Sequence, residues 1–176
     1  LGMGEQMPEA RALLEEQLAT ARAIFPANDP EIGLSEIALG MFLRQAGDVE
    51  TSKSLLLAGV DKLDPTNVDH ARRMITALIV SAEFFGMESP EEALEAIDRA
   101  SGIANQAFGA DSLQAALVQV RLASTMTTYR YFEGSERNFT AALPVLEAKL
   151  GENHSSTISA LNNLGYLYSF KGDEAQ

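Results

Sequence analysis

The side chains able to do chemistry are few and badly spaced for it. There are two histidines, His70 and His154, 84 residues apart (154 − 70), and no cysteine. Without cysteine there is no disulfide, no thiolate metal site and no Cys nucleophile. No His-Glu-x-x-His run, Gly-x-Ser-x-Gly elbow or paired metal-ligand spacing occurs in the sequence. The acidic pairs Glu15-Glu16 and Glu91-Glu92 are adjacent, so on a helix their carboxylates diverge and cannot share a proton. The opening Leu-Gly-Met-Gly-Glu-Gln-Met lacks the third glycine and the preceding strand of a phosphate-cradling loop. The sequons at Asn138 and Asn153 are short enough to arise by chance. The chain therefore reads as a non-enzyme that needs no cofactor and no metal. The residues suited to recognition are Asn162 and Asn163, because a side-chain amide can donate to and accept from a peptide backbone at once.

Composition narrows the partners. Of 176 residues, 46% are hydrophobic and 22% charged, an ordinary balance for one domain with an ample core. Net charge is −12, from 25 acidic against 13 basic residues. Such a balance argues against nucleic acid and against an anionic membrane surface, both of which need a basic face. No apolar run approaches the roughly 18 residues of a membrane helix. A signal peptide is not evident at the start either, so the default compartment is cytoplasmic. Ala, Leu and Glu abound and β-branched runs are scarce, which favours helices.

The elements that carry these residues repeat. From Gly151, steps of 42, 42 and 41 lead back to Gly109, Asn67 and Pro26, each in a short loop holding Asn or Asp. Both are good N-cap residues. Inside the units Leu164, Leu122, Val80 and Leu39 stay in phase, always apolar. The next position is small: Gly165, Ala123, Ser81, Gly40. Three further on it is large: Tyr168, Met126, Phe84, Leu43. In each second helix a small residue recurs at Ser135, Ala93, Ser52 and Ala10, with Phe139, Ile97, Leu56 and Leu14 four later. Seven after the small site stand Ala142, Ala100, Gly59 and, breaking the pattern, Gln17. Antiparallel helices approach closely only where side chains are small, and large neighbours then fill the flanking grooves.

The spacing predicts helices over about 6–25, 30–46, 49–63, 68–86, 90–107, 111–131, 134–149 and 154–171. Gly47, Gly86, Gly109, Gly151 and Gly172 mark stops, while Pro30 and Pro90 suit first turns. Pro144 should kink its helix or end it near Leu143. The units run over about 1–25 (half), 26–66, 67–108, 109–150 and 151–176 (half), in a single repeat domain.

The last unit carries a resemblance. Leu150, Gly151, His154, Thr157, Leu161, Asn162, Asn163, Leu164, Gly165, Leu167, Tyr168, Gly172, Asp173 and Ala175 stand as in the long tetratricopeptide (TPR) repeats of kinesin light chains and bacterial regulatory proteins. The upstream copies resemble it in their packing positions and lack the Asn pair. The resemblance implies an all-α, right-handed α-solenoid of about eight helices in antiparallel hairpins. It implies that first helices line a concave face that binds a protein or peptide segment, and that His154 caps a helix. The groove residues expected are Asn162, Asn163, Tyr166, Phe170, Ser159 and Ser169 from the last copy, then Leu117, Val120, Arg121, Ser124, Thr127 and Thr128. Ile75, Leu78, Ala82, Phe85, Leu34, Ile37, Met41, Arg44 and Gln45 follow from the earlier copies. Ile75, Leu78, Leu117 and Val120 fit either groove or core. Arg44, Arg121 and Arg130 are placed to meet acidic groups on a partner, or nearby glutamates. Asn163 is the favoured backbone clamp.

The expected role is a docking module of a larger regulatory or signalling protein. The alternatives are self-association and small-molecule sensing. Ala160, Leu164 and Leu167 on the last helix are expected to have no following helix to cover them, so the chain is expected to be a piece of a larger array or to pack against another copy of itself. Sensing would require a closed pocket lined by Met41, Phe85 and Met126.

Overall fold

In the computed structural model, which describes residues 3–86 and 89–174, those residues form eight α-helices and no strand. They are α1 (Met3–Ile24), α2 (Pro30–Ala46), α3 (Val49–Val60), α4 (Val68–Phe85), α5 (Pro90–Phe108), α6 (Leu113–Thr128), α7 (Phe132–Leu150) and α8 (Ser155–Glu174). Consecutive helices pack along an α-solenoid. The expected residues Leu1 and Ala175 lie outside the described residues.

Local chemistry sets the boundaries. The Asp29 carboxylate accepts from the Glu31 N–H at 3.0 Å, and Pro30 opens α2. Asn67 accepts from the N–H groups of Asp69 and His70 at the start of α4. Ser112 accepts from Ala115 N–H at the start of α6. His154 caps α8 through Nδ1, which accepts from Ser156 N–H at 3.2 Å. Left-handed glycines close α2 and follow α5 and α7, at Gly47 (φ 85°), Gly109 (84°) and Gly151 (91°). Neither Gly172 nor Pro144 ends its helix. Helix α8 runs through Gly172. Helix α7 runs through Pro144. Proline orphans the carbonyl four residues back. Here that residue, Thr140, is exposed like Pro144 itself, so water can satisfy it.

The small positions sit at helix crossings. Ser52 Oγ on α3 donates to the Gly40 carbonyl on α2 at 2.7 Å. Its counterpart Ser135 Oγ on α7 donates to the Ala123 carbonyl on α6 at 2.8 Å. Ser81 and Ala93 hold the same places in the second hairpin, both buried, but there Ser81 Oγ donates to the Ala77 carbonyl of its own helix. The large residues four later, Leu56, Ile97 and Phe139, are all buried beside these crossings. Nearer the other end of the first hairpin two glycines touch. A Cβ on Gly59 would lie 2.6 Å from the Gly33 carbonyl oxygen and 2.7 Å from Ile37 Cγ1. Gly59→Ala should therefore destabilise by about 2 kcal/mol, as overpacking outweighs the roughly 1 kcal/mol gain in helix propensity. Gly102→Ala in α5 has no atom within 4 Å of the new methyl. It should stabilise by about 0.5–1 kcal/mol. Urea unfolding of both variants reads the opposite signs.

The two layers differ. Helices α2, α4, α6 and α8 each touch the next of their own set. Helices α1, α3, α5 and α7 make no such contacts with one another among the described residues. The layer that touches is the inner side of the bend, so α2, α4, α6 and α8 line the concave face.

Candidate functional site

Three clefts follow one another along the inner layer. Between α2 and α4 a cleft of about 450 Å³ is lined by Leu34, Asn67, Asp69, His70, Arg72 and Arg73. Between α4 and α6 one of about 330 Å³ is lined by Arg72, Ile75, Thr76, Ile79, Phe108, Gln114, Leu117, Val118 and Arg121. Between α6 and α8 one of about 520 Å³ is lined by Ser124, Thr127, Thr128, Arg130, Asn163, Tyr166 and Phe170.

The third cleft gathers six of the expected groove residues. Asn163 Nδ2 donates to Ser124 Oγ at 3.0 Å, tying α8 to α6. Ser124 Oγ in turn donates to the Val120 carbonyl at 2.9 Å. Among the described residues no donor reaches Asn163 Oδ1, which leaves a carbonyl for an incoming N–H. Tyr166 and Phe170 are 66% and 47% exposed, a large aromatic area left uncovered beside polar hydroxyls. The floor is fixed by Thr127, whose Oγ1 donates to the Ala123 carbonyl and pairs with Ser135 Oγ at 2.7 Å.

Other expected groove residues stand elsewhere. Leu78 and Phe85, with Ile37 and Ala82, belong to the core rather than to the inner clefts, while Ile75 is a core residue that also lines the middle cleft. Their helix α4 touches α2, α3, α5 and α6, so nearly every face of it is covered. Met41 packs against the same core, as do Phe85 and Met126, so the three close an apolar cluster rather than line a ligand pocket. Arg44 is ion-paired with Glu83 on α4 and lies 5.9 Å from the Phe84 ring centroid. It braces two inner helices instead of facing a cleft. Arg121 lines the middle cleft with Leu117. Asn162 is exposed but does not line the α6–α8 cleft. Its repeat equivalents, Leu78 and Ile37, are buried, so it sits one face round from Asn163.

The outer face of α8 also differs from expectation. Ala160 and Leu167 are fully buried and Leu164 is half-buried, all against α6 and α7. The apolar residues left open are Ile158, Leu161 and Tyr168, around Gly165. Tyr168 Oη and Lys171 Nζ both donate to the Glu136 carboxylate on α7. These bonds, Lys171 first, hold that carboxyl below the usual carboxylate range.

The loop beyond α6 is pinned to the second hairpin. Tyr129 Oη donates to the Glu83 carbonyl at 2.9 Å, and Tyr131 Oη to the Gly86 carbonyl at 3.4 Å. Burial pushes both phenols above their ordinary range. Arg72, Gln114 and Phe108 are cleft residues that the repeat phase alone does not single out. The available signal was charge: Arg72, Arg73 and Arg121 all fall on first helices of an acidic chain. Among the described residues, four arginines and one carboxylate, Asp69, line the three clefts. Among the described residues none of Arg72, Arg73 and Arg121 has an ion-pair partner. Arg72 lies 5.4 Å from the Phe108 ring centroid.

Among the described residues no group of three or more His, Asp or Glu is arranged to hold a metal ion. No described helix is long and apolar enough to cross a membrane. No protein-family model and no curated protein sequence matches the chain. Solved structures do. One is a Podosopora anserina protein described as a kinesin light chain with nearly identical TPR-like repeats. It superposes with a TM-score of 0.77 at 17% identity, covering 97% of this chain and 81% of that one. Its Q17M variant matches equally. BtubC (BKLC) from P. vanneervenii gives a TM-score of 0.66 at 21% identity, covering 97% of this chain and 67% of that one. The chain thus has the TPR-like fold of these structures, as the sequence resemblance implied.

Proposed function

We propose that the chain is a docking scaffold that binds a peptide segment of another protein along its concave face. The observation that carries this reading is the α6–α8 cleft, where Tyr166 and Phe170 stay exposed beside a fixed amide and three hydroxyls. Exposed aromatic surface in a polar-rimmed groove is the usual material of a contact site. Extended peptides need both backbone partners and side-chain pockets. Asn163 supplies the first and the aromatic pair the second. The bare arginines of the middle cleft favour a segment with acidic groups, although the chain as a whole is acidic. The reading extends to a docking part of a larger regulatory protein acting in the cytoplasm, without catalysis of its own.

A random peptide library displayed on beads tests it. The wild-type chain should select binders, and Tyr166→Ala with Phe170→Ala should weaken them at least about tenfold. Asn162→Ala should leave affinity unchanged, because that side chain points away from the cleft lining. Thermal unfolding should barely move for either change. Equal losses from Asn162→Ala would displace the site to the outer face of α8. The exposure of Ile158 and Leu161, each 44%, favours a second reading in which that face pairs between chains. Light scattering across concentration separates the two.

A further inference from the structure

Within the stack, each inner helix is covered by the outer helix that follows it. The small inner sites Gly40, Ser81 and Ala123 are each followed 12 residues on by a small outer site (52 − 40, 93 − 81, 135 − 123). All six residues are buried. The fourth inner copy differs. On α8 the small site is Gly165, which is exposed, and a Cβ there would meet nothing within 4 Å among the described residues. Ile158, Leu161 and Tyr168 around it are exposed as well. With Asn162 and Ser169 they make a stripe at helical spacing that carries no charge.

The other end of the stack holds the matching half. Helix α1 keeps the phase of an outer helix, because Ala10 and Leu14 stand where Ser52 and Leu56 do. Outer helix α3 is paired with α2, which also touches α4. The same place beside α1 and α2 holds no helix among the described residues. It is a groove of about 430 Å³, lined on α1 by Leu13, Gln17, Thr20 and Ala21. The counterparts of the last three are Gly59, Lys62 and Leu63, the residues of α3 and its following turn that lie nearest Gly33 on α2. The groove is therefore shaped for an inner helix.

We infer that copies of this chain associate end to end, with α8 of one copy seated on α1 and α2 of the next. Gly165 then meets Ala10 as Gly40 meets Ser52. Leu13 packs on Leu164 and Tyr168 as Leu55 packs on the cluster of Leu39 and Leu43. The contact continues the hairpin packing already present three times in the chain. Charge agrees with a second copy as occupant. Two chains of net charge −12 repel, and Glu16 and Glu31 also line the groove, so the stripe that enters it must bring no carboxylate. Gln17 is the misfit, opposite Ile158, since its counterparts Gly59, Ala100 and Ala142 are small. Met74 and Ala100 hold the same two places in the second hairpin and are both buried, so a large inner residue is accepted opposite a small outer one. The inference rests on the second reading above, in which the open face of α8 pairs between chains, and names what it pairs with.

A head-to-tail contact leaves a free end on each side and grows into open chains or rings, whereas a face that meets itself stops at two. Sedimentation of the wild-type chain over a range of concentrations should therefore show an average mass rising past that of a dimer. Gly165→Gln blocks one end and Leu13→Glu the other. Both positions are open in the single copy, so neither variant should lower Tm. Each alone should stay at the mass of one chain. Mixed in equal amounts they should form a dimer and nothing larger, because each supplies the end that the other lacks. Gln17→Ala should tighten the association about tenfold, the size of one relieved overpacking. If Leu13→Glu alone still forms a dimer, α8 meets a surface other than α1, and the end-to-end assignment is overturned while pairing between chains stands. Gln17→Ala that associates no better would overturn the hairpin-like register, and the assignment with it. A wild-type chain that stays single at every concentration would remove the second reading and this inference together.

Discussion

Phe139→Ala should cost about 3–5 kcal/mol of stability, the range for truncating a fully buried aromatic residue. Phe139 is the largest side chain that the fold buries completely. It packs with Ala123, Phe132 and Leu167, so its ring joins α6, α7 and α8. The neighbours cannot collapse onto the void. Ala123 has no side chain left to extend, and Ser135, one turn before the ring, is fixed by two hydrogen bonds. Phe139→Leu keeps most of the volume and should cost less than half as much. In a stack where each hairpin leans only on its neighbours, the loss should fall first on the last hairpin and α8. Hydrogen exchange should therefore show α6–α8 opening ahead of α2–α5, with the midpoint of urea unfolding shifted down. A loss below about 1 kcal/mol would mean that the crossing of α6 and α7 is not the close-packed joint described above.

That joint was legible in the sequence, because crossing two helices demands a small residue and then a large one at fixed offsets. Ser135 and Phe139, or Ser52 and Leu56, declare the crossing without reference to the rest of the chain. The starts at Asp29 and Asn67 were legible for the same local reason, since capping needs only a side-chain oxygen at one position. The face presented to solvent was harder to read. Leu78 and Asn162 hold equivalent places, yet one is buried and the other exposed. Periodicity reports that a position is apolar and is silent on which neighbouring helix covers it. The difference between Asn162 and Asn163 is one residue, or about 100° around the helix, which repeat phase alone does not resolve. The left-handed turn at Arg130 was hidden because the signal for it is a glycine, and the glycine is what this copy lacks.

The groove that remains sets exposed aromatic surface beside fixed polar groups. Its inner helices are held together by Arg44 with Glu83 and by Asn163 with Ser124. Such cross-links fix the spacing of the inner helices, which would lower the ordering cost of the binding proposed above.

Lys62→Met should cost about 2–4 kcal/mol, because it leaves a buried carboxylate short of its nearer cation. The Glu36 side chain is only 4% exposed. Its Oε2 accepts from Lys62 Nζ at 2.8 Å, and its Oε1 from Arg22 Nη2 at 3.0 Å. These bonds link α1 and α2 to the end of the first hairpin. Lys62 is itself largely buried and also donates to the Ala58 carbonyl at 3.0 Å, so its replacement removes the better-shielded half of the network. Arg22 remains, but at 54% exposure it is screened by water and compensates incompletely. The repeat phase supplies the control. Counterparts of Glu36 in the later copies are Ala77, Gln119 and Leu161, none of them charged. A Glu36→Leu and Lys62→Met double variant removes both buried charges at a site where an uncharged residue fits the fold. Replacing a buried pair with apolar groups is often neutral or stabilising. The double variant should therefore recover most of what Lys62→Met alone loses. Urea unfolding of the two single variants and the double one gives the coupling directly. If the double variant is no better than Lys62→Met, the lysine stem rather than its charge holds the hairpin end, and the network contributes nothing of its own.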